Sequence, residues 1–570
     1  MKKIIAFLLL ICTVLSLVAC GGGDKKDPVT TGDGSSNDND TTTSAAIKAW
    51  AFHSFDKTVV NVPPKGTFKT DYTVYLAKGE TEGCQVAIYS NQEIKNVSLA
   101  LKSGETEVIK PAMFSMNKTQ KVGKKQYTDA LIPYYGRPLK IEKKVILPFM
   151  IEFKTDENTP AGDYDYVYEI KEKNGNVLAT YNIKVHVWDF EIPKEKTFVT
   201  AVGLQNPFLA YFKGVYVDWY ETLLDHNISA YNLPYDILDE RADAYMSDPR
   251  VTSFEVPVPT LKSEDTNGDK YLDTFVIDEK KLLEYCKKVK SNPVWLSKAY
   301  FYPYDEPNTV ERLEFLKNIE RQLNKLCPEI EVMSPYYTNV QIGDEKRDQT
   351  DFMESFTDLW CPKLCLWDDA ESYDEFLNYK PSKTFEERMN DQIKKGDRMW
   401  TYVCNDPNNP YAQLFLDTDG VVQRLMFWQI YQRDIEGFLY WSACWYRWKD
   451  GNDPWDDDGN NTFMLDDPWE SATSITDGDG HPVYGEGWLL YPGNPVGYGG
   501  ACPSIRLKIV RDGIDEIEMF YLAEQYLDKE WILSKTKEGT PTLTEYSSGD
   551  KYASLRIEIG NALEAAIKNK

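Results

Sequence analysis

The sequence predicts an all-β part followed by an α/β part: an N-terminal antiparallel β-sandwich and then a (β/α)8 barrel of the TIM type. Between residues 47 and 196, short alternating apolar and polar segments are separated by turns, and helical periodicity is almost absent. Between residues 197 and 530, strand-like runs alternate with amphipathic helices, a rhythm that is typical of βα units. Eight such runs are present, which is the number a closed parallel barrel needs.

The N-terminus has the features of a bacterial lipoprotein signal peptide, which we place at residues 1–19. Lys2 and Lys3 precede an apolar stretch, residues 4–18, that is short for a membrane span. The stretch ends in Leu-Val-Ala-Cys, so Cys20 is the predicted lipidation site. Residues 20–46 are rich in Gly, Asp, Ser and Thr and predict a flexible linker. We therefore expect a lipid-anchored protein on the extracytoplasmic face of a bacterial membrane; an ordinary secretory peptide or a short membrane helix are the alternatives.

Composition excludes some partners. The net charge of −26 argues against binding to nucleic acid. The chain has 37 Tyr and 15 Trp, and flat rings are used both in cores and as stacking platforms for sugars. An exported protein can form disulfides, but the cysteines lie mostly in apolar runs that suit buried thiols equally well.

The sandwich, residues 47–196, is predicted from five alternating segments and a hairpin turn at Asn174-Gly175. The barrel follows over residues 197–530. Its predicted strands are residues 199–204, 228–233, 251–258, 299–304, 330–334, 359–365, 398–403 and 437–444. Its predicted helices are residues 217–226, 279–290, 310–326, 385–395, 421–433 and 504–527. Residues 531–570 are predicted to form a C-terminal loop and helix.

Two adjacent acids, Asp305 and Glu306, follow the fourth predicted strand. Parallel barrels place their catalytic groups at the C-terminal ends of their strands. Neighbouring carboxyl groups repel each other, so their pKa values separate and one can remain protonated while the other is charged. This division is what cleavage of a glycosidic bond requires. Most adjacent acids are simply solvated, however, so the pair indicates a catalytic site only in combination with the predicted barrel.

Several motifs resemble glycoside hydrolase family 123 and the related domain-of-unknown-function family 4091. They are Tyr-Asp-Glu-Pro at 304–307, Gly-Phe-Leu-Tyr-Trp at 437–441 with Trp445, Gly-Glu-Gly-Trp-Leu-Leu-Tyr-Pro-Gly at 485–493, and Pro-Ser-Ile-Arg-Leu at 503–507 continuing to Arg-Asp-Gly-Ile at 511–514. The order of sandwich and barrel also matches, and the resemblance covers roughly residues 47–530.

The resemblance implies a retaining β-N-acetylgalactosaminidase in which the 2-acetamido oxygen of the substrate attacks its own anomeric carbon. Glu306 would then act as general acid and afterwards as general base. Asp305 would orient the acetamido N–H and stabilise its developing positive charge. The partner implied is a glycan that carries N-acetylgalactosamine, and neither a cofactor nor a metal is expected.

Aromatic residues near the ends of strands five to eight are the candidates for sugar binding. A Tyr hydroxyl there could orient the acetamido oxygen, and a Trp ring could form the floor of the −1 subsite. Because strand residues alternate inward and outward, about half of such rings belong to the core. The candidates are Tyr337, Trp400, Tyr402, Trp441 and Trp445.

Other readings remain open. Residues 265–273 resemble the start of a calcium loop, although Lys270 stands where glycine is usual and a polar hairpin is the default. The acidic loop at residues 449–458 could bind hydroxyls or a cation, or be a solvated loop. As a whole, the chain could be a non-catalytic glycan-binding lipoprotein on the same scaffold, or a glycosidase with a different sugar specificity.

Overall fold

The computed structural model describes residues 46–116, 119–205, 214–264, 274–342, 347–368, 381–446, 468–470, 473–476 and 481–570. These residues belong to one compact unit that spans Ala45–Lys570. The signal peptide, Cys20 and nearly all of the linker lie outside the described residues, as do the calcium-like segment and the acidic loop at 449–458. The domain boundaries at residues 196 and 530 stay predictions.

Two five-stranded sheets form the N-terminal part. One sheet has the order β1-β3-β10-β5-β8 and the other the order β2-β12-β11-β4-β9. The strands are β1 (Ile47–His53), β2 (Asp71–Lys78), β3 (Thr81–Ser90), β4 (Ile94–Ser103), β5 (Ala112–Ser115), β6 (Thr119–Val122), β7 (Lys125–Thr128), β8 (Ile132–Pro133), β9 (Leu139–Ile141), β10 (Ile146–Lys154), β11 (Gly162–Glu172) and β12 (Val177–Glu191). Strands β6 and β7 form a separate hairpin.

The two sheets share a hydrophobic core between their inner faces, to which β2, β3, β4, β10, β11 and β12 all contribute. The Tyr181 hydroxyl of one sheet donates a hydrogen bond to the carbonyl oxygen of Ala87 in the other, at 2.9 Å. The prediction of a mostly β N-terminal region is therefore confirmed. The sandwich differs from the expected purely antiparallel one because β2 and β12 run parallel, with Tyr72 opposite Ile183.

The C-terminal part contains a nearly closed barrel of seven parallel strands in the order β13-β21-β20-β19-β18-β17-β14. These strands are β13 (Val199–Val202), β14 (Phe254–Glu255), β17 (Ala299–Phe301), β18 (Glu331–Tyr336), β19 (Leu359–Pro362), β20 (Arg398–Val403) and β21 (Gly437–Tyr440). Outside the barrel are three short pairs: β15 (Thr260–Glu264) with β16 (Thr274–Ile277), β22 (Thr473–Thr476) with β23 (Pro482–Tyr484), and β24 (Leu490–Pro492) with β25 (Ala501–Pro503).

The gap between β13 and β14 holds the segment that we predicted as the second strand. It makes only an isolated bridge, Val202 with Ala230, and not a full strand. The backbone N–H of Tyr231 donates to Val202 at 2.9 Å, and that of Glu255 donates to Tyr231 at 2.8 Å. An eighth strand thus fails to form because too few consecutive backbone bonds are made, although the segment spans the opening.

Helices cover the outside of the barrel and the C-terminus. They are α1 (Tyr216–Leu224), α2 (Ala242–Ser247), α3 (Glu279–Lys290), α4 (Pro293–Lys298), α5 (Val310–Leu326), α6 (Gln349–Met353), α7 (Phe385–Lys395), α8 (Gly420–Tyr431), α9 (Ile505–Ala523), α10 (Lys529–Gly539) and α11 (Gly549–Lys568). A disulfide between Cys286 and Cys327 joins α3 to the end of α5. None of the described helices has the length and hydrophobicity that crossing a bilayer requires.

Helix α9 lies between the sandwich and the barrel and is almost wholly buried. Arg506 donates to the carboxylate of Asp129, which belongs to the N-terminal part, with 2.7 Å between Nη2 and Oδ2. Lys508 and Arg511 both bind Glu152 of β10. Breaking one partner of such a buried pair leaves an uncompensated charge. The run that begins at Pro503 therefore holds the two parts of the protein together.

Candidate active site

The two acids lie in the connection between β17 and α5, at the C-terminal end of a barrel strand. Pro303 and Pro307 flank them and cannot donate to a sheet ladder, so the strand stops at Phe301. Helix α5 begins three residues beyond Pro307, with the Thr309 side chain accepting a hydrogen bond from the Arg312 backbone N–H at 3.3 Å. A strand end on one side and a capped helix on the other hold Asp305 and Glu306 in place.

Glu306 has a backbone conformation that non-glycine residues seldom adopt, with φ at 42°. Such strain persists only where the surroundings enforce it, and it concentrates at functional sites. Its side chain is fixed from the other side of the barrel, where the Tyr402 hydroxyl of β20 donates a hydrogen bond to Oε1. Both backbone and side chain of Glu306 are thus held in one orientation.

Asp305 remains open to solvent, as a group that meets a substrate must be. The Tyr302 hydroxyl donates to its Oδ1 at 2.7 Å. The protein around Asp305 raises the pKa of its carboxyl group because it displaces part of the water that would stabilise the charge, and the Tyr302 bond opposes this effect. The two acids therefore have separate hydroxyl donors, one from the same loop and one from across the barrel.

The pKa of Glu306 is raised from its usual value to about 7, first by burial and then by the negative charge of Asp305. The Tyr402 hydrogen bond and the charge of Lys363 lower it, while Asp406 raises it. A carboxyl group with this pKa is substantially protonated near neutral pH. The pair can thus supply a proton donor beside a second carboxyl group, as the sequence predicts.

Lys363 brings a positive charge to this site. It follows β19, is only 3% exposed, and its Nζ lies 2.8 Å from Oδ2 of Asp406. Its ammonium also lies 5.3 Å from the centroid of the Tyr337 ring. Because the group is buried, its charge is weakly screened and stabilises the carboxylate form of Glu306.

Tyr337 follows β18 and is half-buried. Its hydroxyl accepts a hydrogen bond from Nδ2 of Asn308 at 2.6 Å, and Arg312 in turn donates to Oδ1 of that amide. A tyrosine hydroxyl has one proton to donate besides its acceptor sites. The Tyr337 proton can consequently be directed at an acceptor on a substrate.

Trp441 and Trp445 are both half-buried, with ring centroids 5.5 Å apart. The buried carboxylate of Glu486 accepts hydrogen bonds from the Trp441 indole N–H and, at 2.9 Å, from the Tyr440 hydroxyl. Gly487 lies against the ring, because a Cβ there would be 2.4 Å from Trp441. The run Gly485-Glu486-Gly487 therefore fixes the plane of Trp441.

Trp400 does not lie at the C-terminal end of the barrel with the other candidates. It is 1% exposed, its ring centroid is 5.0 Å from that of Tyr300, and both belong to the cluster inside the barrel. Its inward neighbour on the same strand, Tyr402, lies two residues closer to the strand end and reaches Glu306. We accordingly assign Trp400 to packing beneath the site.

Several residues of the site were missed in the sequence. Every second side chain of a barrel strand points inward, so inward positions can be counted in steps of two from Trp400 and Tyr300 toward the strand ends. This count could have identified some of the missed residues. The residues that the structure adds are Tyr231, Glu255, Tyr302, Asn308, Lys363 and Asp406, together with Glu486, which lies within the motif at 485–493. Asp406 and Glu486 come from loops whose path the strand pattern does not determine.

Comparison with known families identifies the catalytic domain. The family described as glycoside hydrolase 123, catalytic domain, matches residues 219–523, more than half of the chain. The chain belongs to this family. It is a glycoside hydrolase, and its catalytic domain includes the acid pair and every aromatic candidate.

A solved structure shows the same fold. A family 123 glycoside hydrolase from Clostridium perfringens, whose report concerns glycolipid glycan hydrolysis, is similar over 92% of this chain and 98% of its own, with 13% identity and a TM-score of 0.58. A β-glucuronidase from Parabacteroides merdae matches 70% of this chain and 47% of its own, with 9% identity and a TM-score of 0.22. Among curated proteins, none matches this sequence.

Proposed function

We propose that this glycoside hydrolase is a retaining β-N-acetylgalactosaminidase that uses the acetamido group of its substrate as the nucleophile. The observation that carries the proposal is the arrangement of Asp305 and Glu306, adjacent in sequence but held by different hydroxyls, Tyr302 and Tyr402. Two carboxyl groups on neighbouring residues leave little room for one to attack from the face opposite the other. A nucleophile supplied by the substrate removes that need.

In the first step the protonated Glu306 donates its proton to the glycosidic oxygen as the bond to the anomeric carbon breaks. The acetamido oxygen forms the new bond to that carbon and produces an oxazolinium ion. Asp305 accepts a hydrogen bond from the acetamido N–H and balances the positive charge that develops there. In the second step Glu306 removes a proton from water, and the water oxygen attacks the anomeric carbon. The bond from that carbon to the acetamido oxygen breaks, which opens the oxazolinium ring and leaves the product with retained configuration.

The neighbouring side chains have matching tasks. Tyr337 accepts from Asn308 and directs its own proton to the acetamido oxygen. Trp441, held by Glu486, forms an apolar floor beneath the sugar ring, and Trp445 extends it. Lys363 helps Glu306 to return to its charged form before the second step.

We place the enzyme on the extracytoplasmic face of a bacterial membrane, attached by a lipid on Cys20. The support is the lipobox-like sequence before Cys20 and the polar linker that follows it. The relative from Clostridium perfringens is described in connection with glycolipid glycans. An enzyme held close to a surface would meet such glycans, or soluble ones, within reach of its linker.

The test uses aryl β-N-acetylgalactosaminide, with the corresponding N-acetylglucosaminide and galactoside as controls. We expect cleavage of the first, weaker cleavage of the second, and none of the third, which lacks the acetamido group. A thiazoline analogue of N-acetylgalactosamine should inhibit because it mimics the cyclic intermediate. Efficient cleavage of the plain galactoside, or a sugar trapped covalently on either acid, would refute the mechanism. Binding without any cleavage would support the alternative of a glycan-binding protein.

A further inference from the structure

Glu255 is a further carboxyl group of the barrel, and the mechanism above does not use it. It is the last residue of β14 and lies opposite Tyr300 of β17 in the parallel register. Tyr300 belongs to the cluster inside the barrel, whereas Phe254 and Val256, on either side of Glu255, belong to the core outside it. Since side chains alternate along a strand, Glu255 points into the barrel.

Glu255 is linked to the acid pair through Tyr231 and Tyr302. Its backbone N–H donates to the carbonyl oxygen of Tyr231, whose ring packs edge-on against Tyr302 at 5.8 Å between centroids. The Tyr302 hydroxyl then donates to Asp305. Both Asp305 and Glu255 act electrostatically on the Tyr231 hydroxyl, because their charges help to raise its pKa after burial has done so. Tyr231 is therefore a neighbour of both carboxyl groups.

The carboxyl group of Glu255 differs from the other acids of the site in its lack of hydrogen-bond donors. Asp305, Glu306 and Glu486 each accept hydrogen bonds from hydroxyl or indole groups. Among the residues that the structure describes, none donates to the Glu255 side chain and no cation pairs with it. It is half-buried, and burial alone raises its pKa to about 7.

An enclosed carboxyl group without donors is costly, and a ligand that brings donors offsets this cost. Sugar hydroxyls are such donors, and a carboxylate has two oxygens that can accept from two of them. The position of Glu255 also specifies which sugar hydroxyls would donate to it. With the anomeric carbon at Glu306 and the 2-acetamido group at Asp305, the next ring positions on the Asp305 side are carbons 3 and 4.

We propose that Glu255 accepts hydrogen bonds from the 3- and 4-hydroxyls of the sugar in the −1 subsite and is the residue that determines which sugar epimer is preferred. The inference rests on the proposed function, which fixes the positions of carbons 1 and 2. In a galacto-configured sugar these two hydroxyls are cis, so one carboxylate can hold both. In a gluco-configured sugar the 4-hydroxyl is equatorial and points away from that arrangement.

The experiment compares the wild type, Glu255→Gln and Glu255→Ala on aryl β-N-acetylgalactosaminide and its 4-deoxy and 6-deoxy analogues. For the wild type we expect kcat/KM to fall by about 10- to 100-fold on the 4-deoxy substrate, because this is the loss expected when a hydrogen bond to a charged group is removed. Glu255→Ala should lower kcat/KM on the parent by a similar factor and show little further loss on the 4-deoxy substrate. The 6-deoxy substrate should lose the same factor with all three proteins.

Glu320→Gln is the matched control. Glu320 is a buried carboxyl group on α5 that accepts from Ser334 on the outer side of the barrel, and its pKa is raised to about 8, again chiefly by burial. Its isosteric replacement should leave the substrate profile unchanged. Melting temperatures of the Glu255 variants show whether they fold, and Glu255→Gln keeps the side-chain volume.

The outcomes separate the two proposals. If the wild type does not cleave the parent galactosaminide, the proposed function fails and the inference falls with it. If the wild type cleaves it and folded Glu255 variants match the wild type, only the inference is overturned. A 4-deoxy penalty that remains undiminished in Glu255→Ala also overturns it.

Discussion

The Tyr402 hydroxyl, at the end of β20, donates a hydrogen bond to Oε1 of Glu306, which lies 96 residues earlier in the chain. This contact crosses the barrel mouth and joins the strand that carries the inward-facing rings to the loop that carries the acids. Because the donor favours the charged form of Glu306, it opposes the burial and the Asp305 charge that favour the protonated form. The balance of these effects sets the pH at which the acid is active.

We predict that Tyr402→Phe shifts the pH profile. In the wild type, the alkaline limb of kcat/KM should lie near pH 7, since Glu306 must be protonated to donate. Removing the hydroxyl raises the pKa of Glu306, so the limb should move upward by roughly one pH unit. Tyr300→Phe is the control, because Tyr300 is a buried ring of the same barrel interior that does not contact Glu306. An unmoved limb in Tyr402→Phe would contradict the assignment of Glu306.

The two acids should respond differently to substitution. Glu306→Gln should reduce the rate on substrates with poor leaving groups by about 10²- to 10⁴-fold, since these need protonation, and much less on aryl substrates with good leaving groups. Asp305→Asn should slow all N-acetylated substrates, because the acetamido group loses its charged partner. Rates are measured with a series of aryl leaving groups. Equal sensitivity of the two variants to the leaving group would contradict these separate roles.

Glu306→Gln should also affect stability in a pH-dependent way. A carboxyl group whose pKa is raised in the folded state binds its proton more tightly there than in the unfolded chain. Its contribution is therefore complete below the unfolded pKa, near 4.5, and is lost as the pH rises to about 7. The Gln variant avoids this loss, so its melting temperature should exceed that of the wild type at pH 8 but not at pH 4. The surface substitution Glu105→Gln should show no such pH-dependent gain, and a lower melting temperature for Glu306→Gln at pH 8 would contradict the prediction.

Gly487→Ala should impair substrate binding. A Cβ at this position would lie 2.4 Å from the Trp441 ring, and φ is +75°. The ring must then move away from the plane that Glu486 sets, so we expect KM to rise. Gly497→Ala is a matched control, because its φ is +78° but nothing lies within 4 Å of the added carbon. Equal effects of the two substitutions on KM would show that backbone strain, and not the Trp441 ring, is responsible.

Cys20→Ser should release the protein from the membrane without changing its activity, because Cys20 is the predicted site of the lipid and residues 20–46 form a linker. The measurement is the partition of activity between membrane and soluble fractions, with and without detergent. The Cys12→Ser protein is the control, since Cys12 lies within the segment predicted to be removed. Continued detergent-dependent membrane association of the Cys20→Ser protein would contradict the lipid-anchor proposal.

Local patterns in the sequence determined much of the fold. Alternation predicted the β-rich N-terminal part, and the amphipathic periodicity of residues 310–326 and 385–395 coincides with α5 and α7. The transition from an aromatic run to Asp305 and Glu306 placed the acids after a barrel strand, where the structure has them. These features depend on neighbours in the chain, and for this reason they can be read from it.

What only the tertiary structure decided depends on residues far apart in the chain. The pattern at residues 228–233 looks like a strand, but its backbone makes too few bonds to its neighbours to form one. Trp400 and Tyr402 look equivalent in the sequence, yet one is enclosed in the barrel and the other reaches Glu306, because depth within the barrel depends on the register of all the strands. The pKa of Glu306 likewise results from burial and from charges on three different loops, and no local pattern encodes their sum.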